Sequence, residues 1–112
     1  MTDPHVLAER LARRLVAVPD PSVRVGYVRH VIGAMEPDAV AGVLTIAVHG
    51  AEARDGDLGA LLLALCLALA AEELAPLRDE IVRAALARGQ HATAALLQPR
   101  ALVGGQQLQP QL

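Results

Sequence analysis

Apolar residues recur every three or four positions along most of the chain, and proline interrupts that rhythm at its boundaries. Leu7, Leu11, Leu15 and Val18 align on one face after Asp3-Pro4, with Glu9, Arg10, Arg13 and Arg14 elsewhere around the turn. After Asp20-Pro21, Val23, Tyr27, Val31 and Met35 align, with Val28 and Ile32 beside them. After Glu36-Pro37 the stripe is Val40, Val43, Leu44 and Ala47, and after Pro76 it is Leu77, Ile81, Val82, Ala85 and Leu86. This is helical spacing, not the alternation of a strand. Proline suits the first helical position, and an acid just before it suits the positive helix terminus. The pattern predicts helices over 4–18, 21–35, 37–53, 58–74 and 76–88, with Asp57 capping the fourth and Gly89 closing the fifth. "QHATAALL" makes a short sixth helix, so 1–98 forms one helical domain and 99–112, rich in Gln, Pro and Gly, a flexible tail.

The stretch "LGALLLALCLALAAEEL", from Leu58 to Leu74, departs from this amphipathic grammar because its first fourteen residues carry no charge. A membrane span needs roughly 20 apolar residues. This run is bounded by Asp57 and by Glu72-Glu73 and is too short. On a helical wheel Leu58, Leu61, Leu62, Leu65 and Leu69 form one arc, and Leu63, Leu67 and Leu74 a second. Between them runs a small-residue strip, Ala60, Ala64, Ala68 and Ala71. A helix apolar all round is a central one. The two leucine arcs predict two neighbours, and the alanine strip predicts either a third close neighbour or an exposed face for a partner.

Composition narrows the core chemistry. Hydrophobic residues are 54% of the 112, yet there is no Phe, no Trp and one Tyr, so the interior is built from Leu, Val, Ile and Ala. A domain of this size buries roughly 60–70% of the surface its unfolded chain exposes. The net charge of −2 leaves no electrostatic footprint for nucleic acid, and the lack of aromatics removes stacking platforms for single strands. The single cysteine, Cys66, excludes an internal disulfide and lies where a thiol acts as a small hydrophobe. The N-terminal "MTDPHVLAERL" has no apolar signal core, which predicts a cytoplasmic protein.

Catalytic or cofactor signatures are not legible. His5, His30, His49 and His91 fall on different predicted helices. His49 and Glu52 share a face, but in the reverse order of the Glu-x-x-His pairs of helical metal sites and without repetition. Ser22, the sole serine, sits at a helix start, and Gly104-Gly105 follows no strand. Neither a catalytic residue nor a cofactor or metal ligand is predicted.

"PDPSVRVGYVRHVIGAMEPDAV" resembles the HEAT-like helical repeats. In that family a D-x-x-V-R segment opens the second helix of a repeat, an apolar run follows, and an acid and a proline open the next helix. The matching residues are Asp20, Val23 and Arg24, then Ile32 to Met35, then Glu36-Pro37, with "VLAERLARRL" as the preceding helix, so the resemblance covers about 4–40. It implies that Asp20 and Arg24 occupy polar positions linking neighbouring repeats. It also implies a protein-binding scaffold. The second D-x-x-V-R, at Asp79, Val82 and Arg83, falls in the first helix of a pair and reads as an ordinary i,i+4 ion pair.

The expectation is an all-α domain of five to six antiparallel helices, as a short HEAT-like hairpin stack or a compact bundle. It would act as a non-enzymatic scaffold or adaptor, binding another protein or itself, with no nucleic-acid or membrane partner. Ala60, Ala64, Ala68 and Ala71 would supply the apolar contact, with Arg13, Arg24 and Arg29 at its rim. An alternative is an apolar-ligand carrier with a cavity beside Tyr27, Leu62 and Leu65.

Overall fold

The computed structural model describes residues 3–98, so the predicted tail at 99–112 lies outside the described residues. The described chain is all-helical: α1 (Pro4–Val16), α2 (Pro21–Gly33), α3 (Pro37–Glu52), α4 (Gly56–Leu69), α5 (Ala75–Ala87) and α6 (His91–Leu97), with one 3-10 turn at Glu72–Leu74 before α5. The first two starts follow the predicted chemistry. The Asp3 carboxylate accepts the His5 N–H and the Asp20 carboxylate accepts the Ser22 N–H, each at 2.9 Å, just ahead of a proline in the first turn.

The helices form a bundle centred on α4, which packs against α1, α2 and α3. α3 is the second hub, touching α1, α5 and α6 as well, whereas α1 and α2 barely touch each other. The core is aliphatic, with Leu15, Ile32, Leu44, Leu61, Leu65, Leu69 and Ile81 its largest fully buried side chains. All four predicted α3 positions, Val40, Val43, Leu44 and Ala47, are buried. In α2 the buried pair is Val28 and Ile32, and Val23 faces outward.

α3 and α4 meet through a tight turn. Arg54 takes a left-handed conformation (φ 65°), its N–H donates to the Ala51 carbonyl, and the Asp55 N–H donates to the Gly50 carbonyl. That double closure is the usual helix ending with glycine in the left-handed place. The fifth helix ends in this way at Gly89 (φ 73°), as its sequence predicts. Asp55, not Asp57, caps α4: its carboxylate accepts the N–H groups of Asp57 and Leu58 at 3.0 and 3.1 Å. The short connection drives Leu58 onto Gly50, where an added Cβ would stand 2.5 Å from the Leu58 Cβ.

At its other end α4 stops at Leu69, five residues before the predicted end at 74. Ala71 is extended, and the chain turns by 92° into α5. The cause lies downstream. The Arg78 guanidinium donates to the carbonyls of Leu69 and Ala71, satisfying backbone groups that a continuing helix would have satisfied itself. Among the described residues no single helix is long and apolar enough to cross a membrane; α4 and α5 reach that length only as a pair bent by 92°.

Candidate functional site

α4 repeats every 3.6 residues, so each residue advances about 100° around it. Leu58, Leu61, Ala64, Leu65, Ala68 and Leu69 face the interior. The alanine strip is therefore covered by the domain itself at its centre, with Ala64 only 3% and Ala68 only 1% exposed, while Ala60 and Ala71 are half-buried. The expectation of an open alanine face is corrected: the bundle uses the small residues to bring its own helices close to α4. The open face is the second leucine arc. Leu63 is 62% and Leu67 is 51% exposed, and Gly59, Ala60 and Ala70 complete an outward arc of about 100°. That arc carries no charge and no hydrogen-bonding side chain. Leu74, the third member predicted for it, lies in the 3-10 turn and is half-buried.

Cys66 stands at the edge of this arc, half-buried rather than interior, and burial pushes its thiol pKa up. It lines an open groove of about 410 Å³ with Leu69, Ala70, Leu96 and Leu97, and Arg78 at its border. This groove joins α4 to α5 and α6, at a place other than the Tyr27, Leu62 and Leu65 region expected for a ligand cavity.

The three arginines expected at a rim have separate surroundings. Arg13 is exposed and borders a shallow groove with Glu9, Asp55 and Asp57, at the N-terminal end of α4. Arg24 turns back, its Nε donating to the Val18 carbonyl across the α1–α2 turn. Asp20, the other polar position that the repeat resemblance picks out, is spent on the α2 cap. Arg29 pairs with Glu73 at 2.5 Å, just beyond the C-terminal end of α4. The Glu73 carboxyl is held below the ordinary glutamate range, first by its own backbone N–H and then by Arg29. Arg14 donates to the Tyr27 hydroxyl at 3.3 Å, linking α1 to α2.

Sequence reasoning missed a polar seam between α3 and α6. The Thr45 hydroxyl donates to the Ala41 carbonyl at 2.9 Å, so the Thr93 hydroxyl, 2.7 Å away, donates to Thr45. Thr93 is only 1% exposed. A groove of about 290 Å³ beside it is lined by Val48, His49, Gln90 and His91. Gln90 Oε1 is buried without a hydrogen-bond partner among the described residues. Neither threonine belongs to an apolar stripe, and they are 48 residues apart, so no local signal pairs them. Among the described residues no three His, Cys, Asp or Glu side chains are grouped to hold a metal ion. No family model, no curated protein and no solved structure matches the chain.

Proposed function

We propose that this chain is a non-enzymatic protein-interaction domain that docks a helical partner through the outer face of α4. The observation that carries this reading is the pair Leu63 and Leu67, side chains of a central helix that stand more than half exposed on an arc without one polar group. Scattered surface leucines are ordinary, but two successive turns of an uncharged face form a contiguous apolar strip. A groove continues the strip towards Leu96, which is itself exposed. The resemblance of residues 4–40 to HEAT-like repeats points the same way, since that family consists mostly of protein-binding scaffolds.

A photo-reactive amino acid placed at Leu63 or Leu67, in the full chain in its native cells, tests the reading. The control position is Leu86, an exposed leucine on α5. Protein adducts from positions 63 and 67 and none from 86 are expected. Equal adducts from all three positions, or none from 63 and 67, would refute a docking role for this face.

A further inference from the structure

We infer that the chain beyond Gln98 folds back on its own domain and seats Leu102 in the groove between α4 and α6, against Cys66 and Leu96. This goes beyond docking at Leu63 and Leu67 and does not rest on it, since neither leucine lines the groove. The groove holds about 410 Å³, and its apolar wall is Cys66, Leu69, Ala70, Leu96 and Leu97. Pockets of about 300–1,000 Å³ receive small ligands, so the space suits a few side chains and not a second folded domain. Leu96 stands 45% exposed on that wall and Cys66 is half-buried, so both have surface left to cover.

The place where the chain leaves the domain supplies the occupant. Gln98 is the last described residue, it borders the groove itself, and residues 99–112 continue from it. Its backbone is already extended (φ −68°, ψ 138°), and Pro99 disfavours helix for the residue before it. Pro99 also has a fixed φ, which lowers the entropy lost when the segment is held. In an extended run residues of one parity share a side, so Arg100 and Leu102 follow Gln98 towards the groove. At about 3.3–3.6 Å per residue, Leu102 lies within about 14 Å of Gln98. Ala101-Leu102-Val103 is the one run of consecutive apolar residues in 99–112, and Gly104-Gly105 ends it.

Charge fits the same occupant. α4 ends at Leu69 and α6 at Leu97, so two negative helix termini meet at the groove, and no acidic side chain lines it among the described residues. Arg78 answers the first terminus by donating to the Leu69 carbonyl. Arg100, just past the end of α6, is placed to answer the second, as basic side chains at helix ends do. The tether sets the strength. A short linker gives an effective concentration of about millimolar, so a contact too weak to hold a free peptide at micromolar concentration still holds this segment.

The test uses the full chain, with Cys66 as a native reporter inside the groove. Amide order parameters should be about 0.85 at Ala101 to Val103 and below about 0.6 from Gln106 onward. A segment docked in most molecules leaves Cys66 open in a minority, so Leu102→Asp should speed its reaction with iodoacetamide at least about threefold. Leu108→Asp should leave that rate alone, and neither change should alter the circular dichroism. Equilibrated with reduced and oxidised glutathione, Leu102→Cys should bridge to Cys66 with an effective concentration at least about tenfold above that of Leu108→Cys. Order parameters below about 0.6 at 101–103, with a Cys66 rate that Leu102→Asp does not change, overturn the proposal. Ordered residues at 101–103 with no effect on Cys66 and no preference for the Leu102→Cys bridge place the contact elsewhere and overturn the groove as its seat. Mobile residues at 101–103, with groove amides that shift on addition of 1-hexanol, assign the groove to a foreign apolar ligand and likewise overturn it. Photo-adducts from positions 63 and 67 are unaffected by any of these results, so the two readings fail separately.

Discussion

Alanine in place of glycine has opposite effects at two positions of this bundle, and the sign follows from what stands beside each. At Gly50 the new methyl would lie 2.5 Å from the Leu58 Cβ and 2.9 Å from its Cγ. The Cβ cannot rotate away, since its position follows the α4 backbone, so α3 and α4 must move apart across their tight turn. Overpacking of this kind costs about 1–3 kcal/mol. With backbone displacement required we take about 3, against a helix-propensity gain of about 1. The net loss is about 2 kcal/mol, and a domain near this size loses about 4–8 °C of melting temperature per kcal/mol, so Gly50→Ala should melt roughly 10 °C low. Gly59→Ala meets no neighbour and should gain about 1 kcal/mol, melting roughly 5 °C high. Thermal melts followed at 222 nm, at low micromolar protein, read both. A third variant isolates the cause. Leu58→Ala alone removes a buried side chain and costs about 2–5 kcal/mol, but in the Gly50→Ala background it also relieves the collision. The double variant should therefore be at least about 1 kcal/mol more stable than the sum of the singles. A Gly50→Ala protein that melts at or above the wild type, or a cycle that closes additively, would refute the close seat of Leu58 on Gly50.

Further outcomes follow from neighbouring features. Arg78→Met leaves the Leu69 carbonyl without its donor, while the Ala71 carbonyl keeps the Leu74 N–H, and should cost about 1–3 kcal/mol in urea unfolding. Leu65→Ala, in the core, should cost about 3–4 kcal/mol, whereas Leu63→Ala should stay within about 0.5 at monomer concentrations. Glu73 has a lowered folded-state pKa, so its contribution to stability is present above the unfolded value and is lost as pH falls through the folded one. A carboxyl NMR titration should place it below an ordinary glutamate, and Arg29→Ala should move it up without restoring it fully, because its own backbone N–H remains. Cys66, partly buried and with its thiol pKa raised by burial, should alkylate more slowly at pH 8 than a free thiol; equal rates would contradict its place at the edge of the groove.

Helix content and much of the packing were legible because local rules act alone there. The α3 stripe of Val40, Val43, Leu44 and Ala47 is buried as its spacing requires, and Asp3, Asp20 and Gly89 do what their positions by helix ends suggest. α4 was harder for a physical reason. A helix with no polar face has no periodicity to mark which side meets solvent, so the choice between the alanine strip and the second leucine arc was set by the surrounding helices. Its early end was also hidden, because the side chain that stabilises the break is Arg78, nine residues beyond Leu69. The Asp55 cap was masked by Asp57, two residues on and of the same chemistry. The Thr45–Thr93 bond joins segments that only the folded chain brings together.

Tyr27 is the sole aromatic residue, half-buried on α2 with its hydroxyl held by Arg14 of α1. Its ultraviolet signature therefore belongs to one place in the molecule. Tyrosine emission and near-ultraviolet dichroism report the α1–α2 corner, with no indole to absorb or quench the signal, while the far-ultraviolet band averages over every helix. An unfolding experiment on the unmodified chain thus has a local and a global probe already built in. Coincident transitions would show that a corner whose two helices barely touch each other still melts with the α4-centred core. An early tyrosine transition would show that corner loosening first, in a protein that needs no label to reveal it.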